Sequence, residues 1–244
     1  MRASGKIAGQ ILRELLSNVK VGISTWELNQ LAEDLMLQAG VVAGFKTVED
    51  YKFATCINVN NGIVHGLPSK SVILKSGDIV KIDLGVLKDG WHSDVASSIY
   101  LPTGDVTIDK PITKFLDCGR QALNKAINEC RSGRRLLDIS RVIEDTIEIH
   151  CGYKVVYELT GHGIGRELHE APDVPGIMLL GPNPKLEVGM TLAIEVIYSQ
   201  TGGEMEIADD DGWTINTKDG SQAGLFEETV AITKSGPLVL TSPI

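Results

Sequence analysis

The chain has 244 residues, of which 43% are hydrophobic and 23% charged, and a formal net charge of −9. That size suits one large domain or two small ones, and the balance is ordinary for a soluble globular protein. The acidic excess argues against a nucleic-acid partner: the only clustered bases, Arg131, Arg134 and Arg135, read as a helix end and turn. No run reaches the roughly 18 apolar residues of a membrane span. Lys6, Arg13 and Glu14 interrupt any signal-peptide core, so a cytoplasmic location is expected.

In chain order, residues 3–19 place Ile7, Ile11, Leu12, Leu15 and Leu16 on one helical face. Ser24 with Glu27 is a capping box that opens a second helix, running to about Gln38 before Gly40. Strands are expected at 53–59, 78–87 and 91–101. Helices follow over 112–130 and 138–150, then strands at 154–160, 191–198 and 226–233. The cysteines at 56, 118, 130 and 151 form no CxxC pair and are expected as buried free thiols.

The sequence repeats itself. Residues 74–84 (LKSGDIVKIDL) match 186–196 (LEVGMTLAIEV) at an offset of 112, and 22–34 (GISTWELNQLAED) match 133–145 (GRRLLDISRVIED) at an offset of 111. Two matches at nearly one offset point to a duplicated half of about 110 residues. The expectation is a single α+β domain over 1–244. Its halves, about 1–105 and 106–244, would be related by a pseudo-two-fold, with helices covering a curved antiparallel sheet and a boundary turn near 102–109.

Five residues carry the chemistry: Asp83, Asp94, His162, Glu195 and Glu227. The four carboxylates sit in or beside apolar, β-branched runs that read as buried strands, and an ionised carboxylate is costly to bury unless it is paired or binds a metal. Asp83 and Asp94 flank the turn signal Lys88-Asp89-Gly90; a hairpin folded at the 88/89 junction would set them opposite each other on one face. Asp83 and Glu195 occupy equivalent places in the repeat. His162 lies in a Gly-rich stretch (GHGIG) that permits close backbone approach. Glu227 and Glu228 are adjacent in a strand and must face opposite ways; the sequence leaves open which one faces the site. A hard, oxygen-rich set with one nitrogen suits Mn²⁺, Fe²⁺, Co²⁺ or Zn²⁺. Four carboxylates suit two ions, roughly 3.5–4 Å apart, an arrangement used in hydrolysis. His92 and His150 read as surface or structural, and 209–212 (DDDG) as a hairpin tip rather than a calcium loop.

Several stretches resemble the type I methionine aminopeptidases of the pita-bread metallopeptidase fold: VHGLPSK (64–70), GDIVKIDLGVLKDGWHSD (77–94), GHGIGRELHEAP (161–172), LEVGMTLAIE (186–195), DGWTINTKDGS (211–221) and FEETV (226–230). The resemblance implies metal-dependent removal of N-terminal methionine from nascent chains. It implies two divalent ions held by Asp83, Asp94, His162, Glu195 and Glu227, with Asp94 and Glu227 bridging. Glu195 would be the general base, His169 would stabilise the tetrahedral intermediate, and His65 would contact the substrate amide. Tyr51, Cys56, Leu168 and Trp213 would form the methionine pocket. The backbone of Asn60 would help hold a monovalent cation. A monomer, with the ribosome as a further partner, is also implied. The chain departs from the family at Leu225 and Glu228, where Gln and His are usual, at Val196, where Pro is usual, and at Leu168, where an aromatic is common. An acid at 228 resembles the Xaa-Pro peptidase branch of the fold. That branch, and a non-catalytic binding protein, are the alternative readings.

Overall fold

A computed structural model of the chain describes residues 1–208 and 211–241. The amphipathic N-terminal segment forms α1 (Arg2–Asn18), burying Ile11, Leu12 and Leu15. α2 (Thr25–Gln38) opens on the expected capping box: Ser24 Oγ accepts from the Glu27 amide at 3.2 Å, and Glu27 Oε2 accepts from the Ser24 amide at 2.8 Å. β1 (Val42–Ala43), a 3₁₀ turn at Gly44–Thr47, β2 (Cys56–Val59), β3 (Gly62–Val64), β4 (Ile79–Lys88) and β5 (Trp91–Tyr100) complete the first half.

The second half begins with α3 (Val106–Glu129) and α4 (Leu136–Glu144), which continues as a π-helical turn over Asp145–His150. β6 (Lys154–Val155), β7 (Thr160–Gly163), β8 (Glu170–Pro175), β9 (Thr191–Ser199), β10 (Met205–Ile207), β11 (Ile215–Thr217), β12 (Ala223–Thr233) and β13 (Gly236–Val239) follow. α3 starts earlier than the expected residue 112 because the Asp105 carboxylate caps it, accepting from the Thr107 amide at 2.8 Å. The expected strand over 53–59 begins only at Cys56, and that over 154–160 divides into β6 and β7.

Ten strands form one antiparallel sheet, ordered β1-β4-β5-β12-β9-β7-β8, with β2 on β4, β6 on β9 and β13 on β12. A three-stranded sheet, β10-β11-β3, stands beside it. α1 packs on β4 and β5, and α3 on β9 and β12, each over its own apolar cluster. The architecture is α+β, with two pseudo-symmetric halves and helices over a large antiparallel sheet. The repeat is visible bond by bond. Gly22 and Gly133 both adopt φ of +92°, and their amides donate to Leu74 O at 2.9 Å and Leu186 O at 3.0 Å. In return, the Leu74 and Leu186 amides donate to Ile23 O and Arg134 O, each at 2.8 Å.

The cysteine expectation is corrected in part. Cys118 on α3 and Cys151, just after the π-helical turn, are joined in a disulfide. Packing of the second-half helices brings together residues 33 apart in sequence, and no spacing pattern announces it. Cys56 and Cys130 are buried free thiols. Of the two histidines read as surface or structural, His92 is buried and His150 is exposed. Part of the 209–212 stretch lies outside the described residues.

Candidate metal centre and its pocket

Sheet register builds the site. Across one row, Cys56 stands opposite Asp83, Asp83 opposite Ala96, Ala96 opposite Glu227, and Glu227 opposite Glu195. Directly opposed residues share a face. Asp94 lies two residues before Ala96, and His162 is paired with Ala193, two residues before Glu195, so both join the same face. The five residues singled out from the sequence are thus gathered on one side of the sheet, where the two halves meet.

One detail differs from expectation. Asp89 and Gly90 both have positive φ, 53° and 73°, and form a two-residue turn that pairs Lys88 with Trp91. Asp83 therefore faces Ala96, and Asp94 faces Gly85; the two acids are diagonal neighbours, not direct partners. The small Ala96 side chain leaves the space between Asp83 and Glu227 open. The choice between Glu227 and Glu228 is also resolved. Glu227 lines the cavity, whereas Glu228 points to the helix side, where its carboxylate accepts from Thr241 Oγ1.

Ligand atoms of Asp94, His162 and Glu227 lie within 4.8 Å of one another. His162 Nε2 is 3.6 Å from Glu195 Oε1. Among the described residues lining this cavity there is no Lys or Arg. Burial, reinforced by mutual repulsion, pushes Asp83, Glu195 and Glu227 well above the usual carboxylate range, and burial raises Asp94 to about 7. Asp83 Oδ1 and Glu227 Oε1 are buried without any hydrogen-bond partner. Burial also lowers His162 to about 4, leaving it neutral. His162 Nδ1 lies 2.8 Å from Gly163 O, so Nδ1 carries the proton and the Nε2 lone pair is free. Orphaned carboxylate oxygens, an oriented imidazole and no counter-cation fit a divalent metal site.

The cavity over this row measures about 560 Å³. At one end the apolar cluster of Phe45, Tyr51, Cys56, Ile164 and Leu168 packs with Trp213. The Tyr51 hydroxyl donates to Thr55 O at 3.0 Å and lies 3.1 Å from Cys56 Sγ, while its ring meets Trp213 edge-on at 5.1 Å. Tyr51, Cys56, Leu168 and Trp213 all line this cavity. Phe45 and Val48 were not foreseen, being isolated apolar residues around a 3₁₀ turn with no periodicity to mark them. His65, at φ 57°, and His169 line the same cavity. The His169 ring centre is 4.4 Å from that of His162, and burial holds both His65 and His169 below the usual imidazole pKa. Asn60 lies apart. Its carbonyl accepts from Lys81 Nζ at 2.6 Å and from the Ala223 amide at 3.0 Å, so the chain's own donors use both lone pairs.

This fold and donor set define a metal-dependent hydrolase. The chain belongs to metallopeptidase family M24, which matches residues 1–234, and within it to the methionine aminopeptidases. It is 38% identical to the methionine aminopeptidase of Aquifex aeolicus and 40% identical to that of Clostridium perfringens, in each case over 99% of this chain and 94% of the relative. The crystal structure of a methionine aminopeptidase from Thermotoga maritima superposes with a TM-score of 0.92 at 36% identity, covering 99% of this chain and 94% of that one. The prolidase of Pyrococcus furiosus shares the fold, with a TM-score of 0.76 at 21% identity over 98% of this chain and 62% of its own. Among the described residues no helix is long and apolar enough to cross a membrane.

Proposed function

We propose that this cavity removes the N-terminal methionine from peptides and nascent chains. The observation that carries the reading is the meeting of the donor row with a closed apolar cluster: Cys56 and Asp83 are direct cross-strand partners, one in the pocket and one in the row. A side chain held among Phe45, Tyr51, Cys56, Leu168 and Trp213 therefore places the bond beside its own α-carbon at the carboxylates. Nascent N-termini place the work in the cytoplasm.

Asp83, Asp94, His162, Glu195 and Glu227 would hold two divalent ions drawn from Mn²⁺, Co²⁺, Fe²⁺ and Zn²⁺. Such ions supply Lewis acidity and a water acidified to near neutral pH. Glu195, at the end of the row, takes the proton of the attacking water and returns it to the departing amine. His169, neutral in its setting, donates an N–H to the oxyanion as it develops. His65, which lines the same cavity, holds the substrate amide in line. The apolar cluster supplies the positioning that turns a slow bimolecular hydrolysis into an oriented one.

The Xaa-Pro reading rested on Glu228. That residue faces the helix layer and bonds to Thr241, away from the cavity. The test is hydrolysis of Met-Ala-Ser by metal-free protein titrated with each of the four metals, with Xaa-Pro peptides alongside. Metal-dependent release of methionine supports the assignment. Release from Xaa-Pro peptides alone would overturn it.

A further inference from the structure

In the ten-stranded sheet the ladder that joins the two halves is short. β4 and β5 pair over ten residues and β9 and β12 over nine, but β5 and β12 pair only through Glu227 with Ala96 and Glu228 with Val95. At either end of this short ladder a hydroxyl replaces the peptide rung. Thr229 Oγ1 accepts from the Asp94 amide at 2.8 Å and donates to Asp94 O at 2.7 Å. Ser98 Oγ accepts from the Leu225 amide at 2.9 Å and donates to Leu225 O at 2.7 Å. Both hydroxyls are buried, and each satisfies one donor and one acceptor of the facing backbone.

A side-chain hydroxyl inserted between two strands holds their backbones farther apart than a direct N–H to C=O bond. Thr229 can do this because its own amide is held elsewhere, donating to Thr241 Oγ1 at 3.0 Å. The widened point falls at Asp94, two residues along the seam from Ala96, which faces Glu227. Thr229 lies on the strand that carries Glu227, so its two bonds to Asp94 tie together the backbones that carry two of the site's acids.

We propose that Thr229 is a positioning residue that holds the seam open at the width the metal site needs, acting through the backbone of Asp94. Ser98 makes the same clip at Leu225, which offers no ligand, and so bears on the stability of the seam without bearing on the metal. The inference rests on the metal-dependent reading of the site.

The test compares Thr229→Val, which keeps the shape and removes both bonds, with Thr229→Ser and Ser98→Ala. Metal-free proteins are titrated with Mn²⁺ by calorimetry, unfolding is followed in parallel, and kcat and KM for Met-Ala-Ser are measured. T229V should bind Mn²⁺ ~10–100-fold more weakly, with a fall in kcat larger than any change in KM. T229S should restore affinity, and S98A should lose stability with unchanged Mn²⁺ affinity. If T229V does not fold, Thr229→Cys, close in volume and a poor hydrogen-bonding group, is read in its place with the same expectation. Wild-type Mn²⁺ affinity in the variant that lacks the clip overturns the inference while leaving the functional reading intact. Equal loss of affinity in S98A also overturns it, since the effect would then be general loosening of the seam. Failure of the wild-type protein to bind any of Mn²⁺, Co²⁺, Fe²⁺ and Zn²⁺ overturns both.

Discussion

Glu195 on β9 and Glu227 on β12 stand directly opposite each other on one sheet face. Like charges in that relation destabilise a sheet, and here Asp83 and Asp94 on the same face add to the repulsion. Without metal the acids relieve it by holding protons, which is why burial and mutual repulsion raise their pKa values. A carboxyl whose pKa is raised on folding stabilises the fold fully below its unfolded value and loses that contribution as pH rises through its folded value. For Asp94 the window runs from 3.8 to about 7. The metal-free protein should therefore lose thermal stability as pH rises from about 4 to past 7. The metal-loaded protein should show no such fall, and its Tm should exceed that of the metal-free form most at the alkaline end. Parallel Tm-versus-pH curves for the two forms would remove the site's claim to be a metal centre.

Replacing Glu195 by Gln tests its role separately from its place in the row. The amide keeps the size and one acceptor oxygen and cannot take a proton from water. A general base contributes typically ~10²–10⁴-fold, so kcat for Met-Ala-Ser should fall by that order. Weakened but measurable Mn²⁺ binding should remain through the other four donors. Turnover near the wild-type level would show that the proton goes elsewhere.

The donor set was legible because its chemistry conflicts with its surroundings. A lone acid in KIDL or AIEV breaks a hydrophobic strand pattern, and the conflict marks the residue. The α1 and α2 helices were legible for the opposite reason, since periodicity and capping agree. Three features were not. The Asp83–Asp94 register depends on which two residues take positive φ, and a shift by one residue at the turn moves each cross-strand partner by two. The choice between Glu227 and Glu228 depends on which sheet face carries α3, a tertiary fact. Phe45 enters the pocket from an irregular segment, where side-chain direction has no period to betray it.

Lys81 bears on the monovalent cation that the family resemblance implied at Asn60. Its side chain is fully buried, and its Nζ lies 2.6 Å from Asn60 O. Burial lowers its pKa to about 7, and it donates to that oxygen as ammonium or as amine. The chain thus carries its own donor where an external ion would need this carbonyl. Activity should be indifferent to exchange of Na⁺ or K⁺ for tetramethylammonium, a cation too large to be bound by one carbonyl. Lys81→Ala, which frees one lone pair of that oxygen and leaves the Ala223 amide on the other, should make activity depend on Na⁺ or K⁺. Cation dependence of the wild-type protein would show that Lys81 does not fill that place.

The Cys118–Cys151 bridge ties α3 to the π-helical turn on the helix side of the sheet, among the apolar cluster that includes Tyr198 and Phe226. Glu195 and Glu227 face the other way, so the bond should matter to stability and not to chemistry. Closing a loop between residues 33 apart limits the unfolded chain by about 3–4 kcal/mol in the chain-entropy account. For a chain of this size, reduction should lower Tm by roughly 10 °C. The paired variant Cys118→Ser with Cys151→Ser should behave as the reduced protein does. At a temperature where both forms stay folded, kcat and KM for Met-Ala-Ser should match those of the oxidised protein. A fall in kcat on reduction without unfolding would mean that the helix layer transmits its packing through β9 and β12 to the carboxylates, and that the two faces of the sheet are not independent.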